Sequence, residues 1–281
     1  VPYVDENVRG TAVLLDRLAN AGRRIKRLVV ASSMSIYGEG RYRCSSCGPV
    51  APGPRPLAQL QAREWELRCP ACATPTTPAP CDEDKPIVPT SVYAVTKRDQ
   101  EELCLCVGRA YGIGTVALRL FNVYGPRQAL SNPYTGVGAI FSSRLLNGQR
   151  PLVFEDGRQS RDFIHVSDIV EAFCLALERD DVADVALNVG TGRSTSVAGL
   201  AETIACSLRV TLAPEIVGRF REGDIRHCVA DVSRIERHLG FRARMTLDKG
   251  VDDLVAWARE QRADDRVAQA RDELDRRGLI R

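Results

Sequence analysis

The sequence predicts an α/β protein built on a doubly wound parallel sheet. Three observations predict it. Short, largely apolar runs at 28–31, 115–121 and 185–189 have the composition of strands buried on both faces. Segments with apolar positions at helical spacing lie between them. Helix and strand alternate along the first half of the chain, the order of a parallel sheet with crossover helices.

Residues 5–21 form the first predicted helix, with Val8, Ala12, Leu15, Leu18 and Ala19 on one side and Gly22 as a stop. The run 28–31 is the first strand and ends on hydroxyls in Ala31-Ser-Ser33. Residues 93–110 read as a helix with Ser91 as N-cap and Val95, Leu103, Leu105, Val107 and Ala110 as its apolar side. Residues 115–121 are the next strand. From about 127 the pattern changes: loops at 132–136 and 147–148 separate shorter elements. Further helices are predicted at 167–179, 196–208, 233–239 and 247–261, and a buried strand at 185–189. A nearly all-charged tail, 263–281, reads as a solvated helix.

The chain of 281 residues is long enough for a large core, and its 44% hydrophobic and 27% charged content is that of an ordinary soluble protein. A formal charge of +3 gives no footprint for nucleic acid, which is not expected as a partner. No apolar run is long enough for a bilayer, and none reads as a signal peptide. Four of the 10 cysteines fall in two Cys-x-x-Cys pairs, and a chain this large needs no disulfide staples, so a reducing, cytoplasmic setting is expected.

Tyr93 and Lys97 stand four apart on a predicted helix and therefore share a face. A free phenol, with a pKa near ~10, is a poor base at neutral pH. A neighbouring ammonium favours the phenolate. Lysine is scarce, four of 39 basic residues, so a chance Tyr–Lys pair at this spacing is unexpected. The hydroxyls of Ser32 and Ser33 end a buried strand, the edge at which open α/β sheets bind ligands.

Five segments in order, Asn7-Val-Arg-Gly-Thr11, Ala31-Ser-Ser-Met-Ser-Ile-Tyr-Gly38, Tyr93-Ala-Val-Thr-Lys97, Leu118-Arg-Leu-Phe-Asn-Val-Tyr-Gly-Pro-Arg127 and Arg161-Asp-Phe-Ile-His-Val166, resemble the extended short-chain dehydrogenase/reductase family in its nucleotide-sugar epimerase/dehydratase branch. The resemblance spans the chain apart from 41–84 and the last twenty or so residues. It implies a Rossmann-like sheet, partial because no Gly-x-x-Gly-x-x-Gly turn precedes the first helix. The chain opens on Val1, so that unit is expected to lie upstream; without it NAD should be held weakly. The domain layout expected is a partial NAD-binding domain at 1–126 with an insertion at 41–84, and a smaller α/β substrate lobe at 127–262 from which 161–190 return to the sheet.

By the same resemblance Ser33, Tyr93 and Lys97 are the catalytic set. Asn7, Ser33, Tyr93, Lys97 and Phe121 contact the cofactor, NAD or alternatively NADP. Ser33, Asn122, Arg161, Arg221 and Asp224 contact a UDP- or dTDP-linked sugar, with the arginines on the diphosphate and Asp224 on the ribose. His165 reads as a packing residue and not as the general acid. Dehydratases of the branch carry Asp-Glu after the serine and the decarboxylases a glutamate; this chain has Met34-Ser35, and neither side chain is an acid or base at neutral pH. The implied reaction is 4-epimerisation: transient oxidation at C4, then hydride return to the other face. The alternatives are a 4-keto-sugar reductase consuming NADPH and a non-catalytic scaffold. A homodimer formed through the Tyr93 helix is the family habit.

Cys44-Ser-Ser-Cys47-Gly and Cys69-Pro-Ala-Cys72 resemble the two knuckles of a zinc ribbon. Four thiolates suit a closed tetrahedral zinc site, and no histidine lies in the insertion to open a position. The Pro- and Arg-rich stretch between them could bury little core alone, so a structural metal would hold it. Cys81 is a spare; Cys104, Cys106, Cys174, Cys206 and Cys228 are expected in the core.

Overall fold

A computed structural model describes residues 1–22, 25–130, 136–261 and 276. The loop expected at 132–136 lies outside these except for Gly136, and the tail at 263–281 except for Arg276.

The first helix starts as a π-helical stretch, Val4–Arg9, and continues as α1, Gly10–Ala19. Strand β1, Arg27–Ser33, follows, then a 3₁₀ turn, Met34–Tyr37. The insertion holds β2 (Arg41–Cys44), β3 (Gly48–Val50), α2 (Leu57–Gln61) and β4 (Thr76–Ala79). Then come α3 (Val92–Tyr111), β5 (Gly114–Leu120), β6 (Asn122–Tyr124) and α4 (Val137–Leu146). The short strands β7 (Leu152–Val153), β8 (Ser160–Arg161) and β9 (Phe163–His165) precede α5 (Val166–Glu178) and β10 (Val185–Val189). The last elements are β11 (Thr195–Ser196), α6 (Val197–Leu208), β12 (Glu215–Ile216), β13 (His227–Cys228), α7 (Ser233–Leu239) and α8 (Leu247–Arg259).

The main sheet is parallel, in the order β1-β5-β10. Its register places Ser33 and Val189 on either side of Leu120, so the carboxyl ends of the three strands finish level. That edge is where an α/β sheet presents a site. One core lies on this sheet, around Val116, Leu118, Ile164, Ala172 and Leu187, closed by Ile235 and Phe241 of the α7 region. A second is built by α4, α6 and α8, with Phe141, Leu145, Leu200, Ile204, Val251 and Leu254 in contact. Burying a side chain of this size stabilises by about 1.5–3 kcal/mol.

Helix α3 starts where expected because the Ser91 side chain accepts from Ala94 N at 3.1 Å, and it ends at Gly112 in the left-handed conformation. Its buried face differs from the apolar pattern. Thr96, Glu101 and Cys104 are buried, whereas Val95 is 43% exposed. Glu101 goes inside because Arg119 of β5 meets it, with Nη2 2.7 Å from Oε1. Three of the cysteines expected in the core, Cys106, Cys174 and Cys206, are exposed, on the outward sides of α3, α5 and α6; Cys81, Cys104 and Cys228 are buried. Among the described residues no helix is long and apolar enough to cross a membrane.

The insertion is a three-stranded antiparallel sheet, β3-β2-β4. The β2–β3 turn carries Cys44 and Cys47, and a tight turn closed by the Arg68–Pro75 bridge carries Cys69 and Cys72.

Candidate active site

A cleft of about 440 Å³ opens at the carboxyl edge of the parallel sheet. It is lined from β1 and its turn by Ser33 and Ser35, from α3 by Tyr93 and Lys97, and from the end of β5 by Phe121 and Asn122. The chain brings them together by topology. Parallel pairing levels Ser33 with Leu120, and α3 crosses over that edge with its first turns at the cleft.

The Ser33 hydroxyl caps the 3₁₀ turn, accepting from Ser35 N at 3.2 Å and from Ser35 Oγ at 2.9 Å. Tyr93 is 37% exposed. Burial of the rest of its ring raises the phenol pKa, and the neighbouring Ser33 hydroxyl offsets part of that rise. The Tyr3 ring stands edge-on to it at 5.4 Å. Lys97, expected to favour the phenolate, is not among the groups that shift Tyr93 here. Lys97 Nζ donates to Gln100 Oε1 at 2.6 Å, and burial lowers its own pKa. Gln100 Nε2 in turn donates to Thr11 Oγ1 at 2.9 Å.

Asn7 does not line the cleft. Its Nδ2 donates to Thr96 Oγ1 at 3.0 Å, and Thr96 Oγ1 donates to Tyr93 O at 2.9 Å. The Asn-Val-x-Gly-Thr motif therefore acts on α3 at two points, Asn7 on Thr96 and Thr11 on Gln100, either side of Lys97.

Two acceptors are left without donors at the cleft. Among the described residues Asn122 Oδ1 and Gln128 Oε1 are both buried with no hydrogen-bond partner, and both side chains line the opening. A buried polar atom without a partner costs roughly 1–3 kcal/mol, so a donor-rich ligand is the natural complement. Gln128 was missed from sequence; its only signal was a polar residue directly after Gly125-Pro126-Arg127. Gln100, Thr11 and Ser35 were missed for the same reason, having no chemistry of their own.

Arg161, Arg221 and Asp224 lie away from this lining. Arg161 is 8% exposed, and its guanidinium donates to the carbonyls of Ser160, Ile225 and Arg226 and to Asp224 Oδ1 at 3.3 Å. Arg161 and Asp224 thus meet each other. Arg221 stacks over the Phe154 ring at 4.5 Å, with Nε buried and unpartnered. His165 is buried, caps α5 by accepting from Ser167 N, and packs on Tyr124 with ring centroids 5.4 Å apart. Asp162 of the same motif accepts from the backbone of Thr191, Gly192 and Ala230, binding β10 to the segment after β13.

The four insertion cysteines converge. Their sulfurs all lie within 4.8 Å of one another, Cys44 and Cys72 at 3.5 Å and Cys47 and Cys72 at 3.6 Å. A tetrahedron with Zn–S bonds of 2.3 Å has edges of roughly 3.8 Å. Thr74 Oγ1 stands 3.2 Å from Cys44 Sγ and 3.0 Å from Cys72 Sγ, as an outer hydrogen-bonding partner would.

A statistical description of the NAD dependent epimerase/dehydratase family matches residues 70–190. Over 260 residues the chain is 35% identical to the dTDP-L-rhamnose 4-epimerase of Burkholderia thailandensis, covering 91% of this chain and 69% of that one. Among solved structures it is similar to the UDP-N-acetylglucosamine 4-epimerase from Methanobrevibacter ruminantium M1 in complex with UDP-N-acetylmuramic acid. The TM-score is 0.73 and the identity 29%, over 93% of this chain and 71% of that one. MoeE5 in complex with UDP-glucuronic acid and NAD matches with a TM-score of 0.69 at 30% identity, over 90% and 71%.

Proposed function

The chain belongs to the NAD dependent epimerase/dehydratase family, and from that premise we propose that it is a nucleoside-diphosphate-sugar 4-epimerase using NAD. The observation that carries the reading is the convergence of Ser33, Tyr93 and Lys97 on one cleft that Asn122 and Phe121 also line. NAD fits this set of polar groups: two donors, a phenol and an ammonium, and two acceptors, the amide oxygens of Asn122 and Gln128, stand at the sheet edge. Ser33, Tyr93, Lys97 and Phe121 would hold its nicotinamide end, and Asn7 would support it indirectly through Thr96. Bound there, nicotinamide supplies a hydride acceptor that later gives the hydride back.

The residues of the chain do the rest. Ser33 hydrogen-bonds the sugar hydroxyl at C4 and holds it against Tyr93. Tyr93 takes the hydroxyl proton as the carbon is oxidised and returns it when the carbon is reduced. Burial alone works against this, since it raises the phenol pKa. Cationic charge beside the ring is therefore required, from Lys97 released from Gln100 and from the cofactor ring. Met34 is buried and Ser35 is hydrogen-bonded to Ser33, so the positions after the serine offer no carboxylate for removing water or carbon dioxide. If the keto sugar presents its other face before reduction, the product is the C4 epimer.

The substrate is read as UDP- or dTDP-linked, with Asn122, Arg221 and Asp224 on the nucleotide side and Arg161 as their support, in a lobe built by α4, α6 and α8. We read Cys44, Cys47, Cys69 and Cys72 as a closed structural zinc site, on the strength of their sulfur spacing. A cytoplasmic homodimer completes the proposal. Val92 at 62% and Val95 at 43% exposure on α3, and Val13 and Leu14 on α1, are exposed apolar side chains that a second copy could cover. Incubation of the purified enzyme with NAD and a panel of UDP- and dTDP-sugars tests the activity. Conversion of one of them to its C4 epimer is expected; turnover only with stoichiometric NADPH would replace the epimerase with a reductase.

A further inference from the structure

The insertion does more than carry four cysteines: its charged residues close over the segment 221–226. Arg55 is 8% exposed. Its Nη1 donates to Trp65 O at 3.1 Å and to Glu155 Oε2 at 3.0 Å. Its Nη2 donates to Glu155 Oε1 at 2.8 Å and to Asp224 O at 3.0 Å. Two residues on, Arg226 is fully buried, and Glu66 of the insertion accepts from its Nη2 at 2.6 Å and its Nε at 3.1 Å. The other Glu66 oxygen lies 3.1 Å from His227 Nε2. Glu155 and Asp156 of the substrate lobe take the remaining Arg226 donors. Glu39, just before the insertion, accepts from Arg226 N. Trp65 packs on Phe220, ring centroids 6.3 Å apart.

The segment between these grips contains Arg221, whose Nε has no partner, and Asp224. Its backbone leaves a bridge at Arg221 and turns through Gly223 at φ +80, outside any helix or strand. Thr90 and Arg161 hold it from one side, through Gly223 O and through Asp224, Ile225 O and Arg226 O, and side chains of the insertion hold it from the other. We propose that Arg55 and Glu66 are positioning residues for the nucleotide end of the substrate, setting where Arg221 and Asp224 stand. This rests on the reading of those two residues as diphosphate and ribose contacts. It gives the insertion a role in substrate binding without touching the hydride-transfer cleft, from whose lining Arg55 and Glu66 are absent.

Glu66→Gln is the decisive variant, because the side chain is 51% exposed and the Arg226 guanidinium keeps Glu155 and Asp156 as carboxylate partners. Arg55→Lys is the second: Arg55 makes four hydrogen bonds from two nitrogens set apart in a planar fork, and an ammonium has three donors on a single nitrogen. Glu64→Gln, whose partner is the exposed Arg68, is the control. Binding of UDP and of dTDP to the purified protein is measured by calorimetry, and KM and kcat are measured on the substrate. For Glu66→Gln and Arg55→Lys, Kd and KM should rise about 10-fold, the effect of a weakened charge-assisted contact, with kcat within about 2-fold. The control should match the wild type. Unchanged Kd in both variants, with at most a lower melting temperature, would show a merely structural network and overturn the proposal. So would a fall in kcat at constant Kd. A wild-type protein that binds neither nucleotide would overturn the reading of the site, and the proposal with it.

Discussion

Replacing Glu101 by Gln should destabilise the protein far more than an ordinary helix substitution. Glu101 and Arg119 have side chains 4% and 7% exposed. Three short contacts join them: Arg119 Nη2 to Oε1 at 2.7 Å, and Nε to the two carboxylate oxygens at 3.2 and 3.1 Å. Ser32 Oγ donates to the same carboxylate at 2.5 Å. The amide keeps the size but removes the charge, leaving a guanidinium buried against Tyr37 and the Glu83 carbonyl with no carboxylate on it. Losing one partner of a buried pair costs about 3–5 kcal/mol. Replacing both, as Glu101→Leu with Arg119→Met, should cost less than either single change. Denaturant unfolding of the wild type, Glu101→Gln, Glu101→Leu, Arg119→Met and the double variant gives the numbers through the midpoint at constant slope. A loss under ~1 kcal/mol for Glu101→Gln would refute the reasoning. The pair also ties α3 to the strand ending in Ser32-Ser33, so residual activity of the folded variant should fall through kcat.

Other expectations follow from the same geometry. Tyr93→Phe should lower kcat by at least about 100-fold in the assay with the epimerised sugar, the scale of losing a general acid–base; Ser33→Ala should cost less. The His227 ring and the Arg226 guanidinium hold the Glu66 carboxyl down to about 2, from an ordinary 4.5. A depressed carboxylate pKa adds stability above pH 4.5 that is lost as pH falls toward 2. Glu66→Gln should flatten that part of the melting-temperature profile, and an unchanged acid limb would remove Glu66 from the linkage. Purified protein should carry about one zinc per chain, and Cys44→Ser with Cys69→Ser should abolish it. Elemental analysis decides, and a zinc content unaffected by that double substitution would dismiss these ligands.

Much of the sheet was legible because its strands are buried on both faces and so carry no polar alternation. The run 185–189 reads as a strand from composition alone and pairs in parallel with β5. The start of the helix at 91–93 was legible from a serine cap. The candidate trio Ser33, Tyr93 and Lys97 was legible from spacing and resemblance, and the three line one cleft. Networks were not. Glu101 and Arg119 look like surface charges until β5 is laid beside α3, and Arg226 reads as one arginine among many yet has no exposed surface. The placement of Arg161 was invisible for the same reason: its partners are backbone carbonyls at 225 and 226, which no side-chain pattern records. The insertion was legible as paired cysteines, but its three strands were not, being short and rich in proline.

The fate of the hydrogen at C4 tests the central claim most directly. A UDP- or dTDP-sugar carrying deuterium at C4 is equilibrated with the enzyme and NAD, and both epimers are recovered and analysed by mass spectrometry and NMR. The account predicts that the product epimer keeps its deuterium at C4, with no net NADH formed, because the same hydride leaves and returns. Loss of the label to solvent, or a product epimer formed with hydrogen from added NADPH, would contradict it.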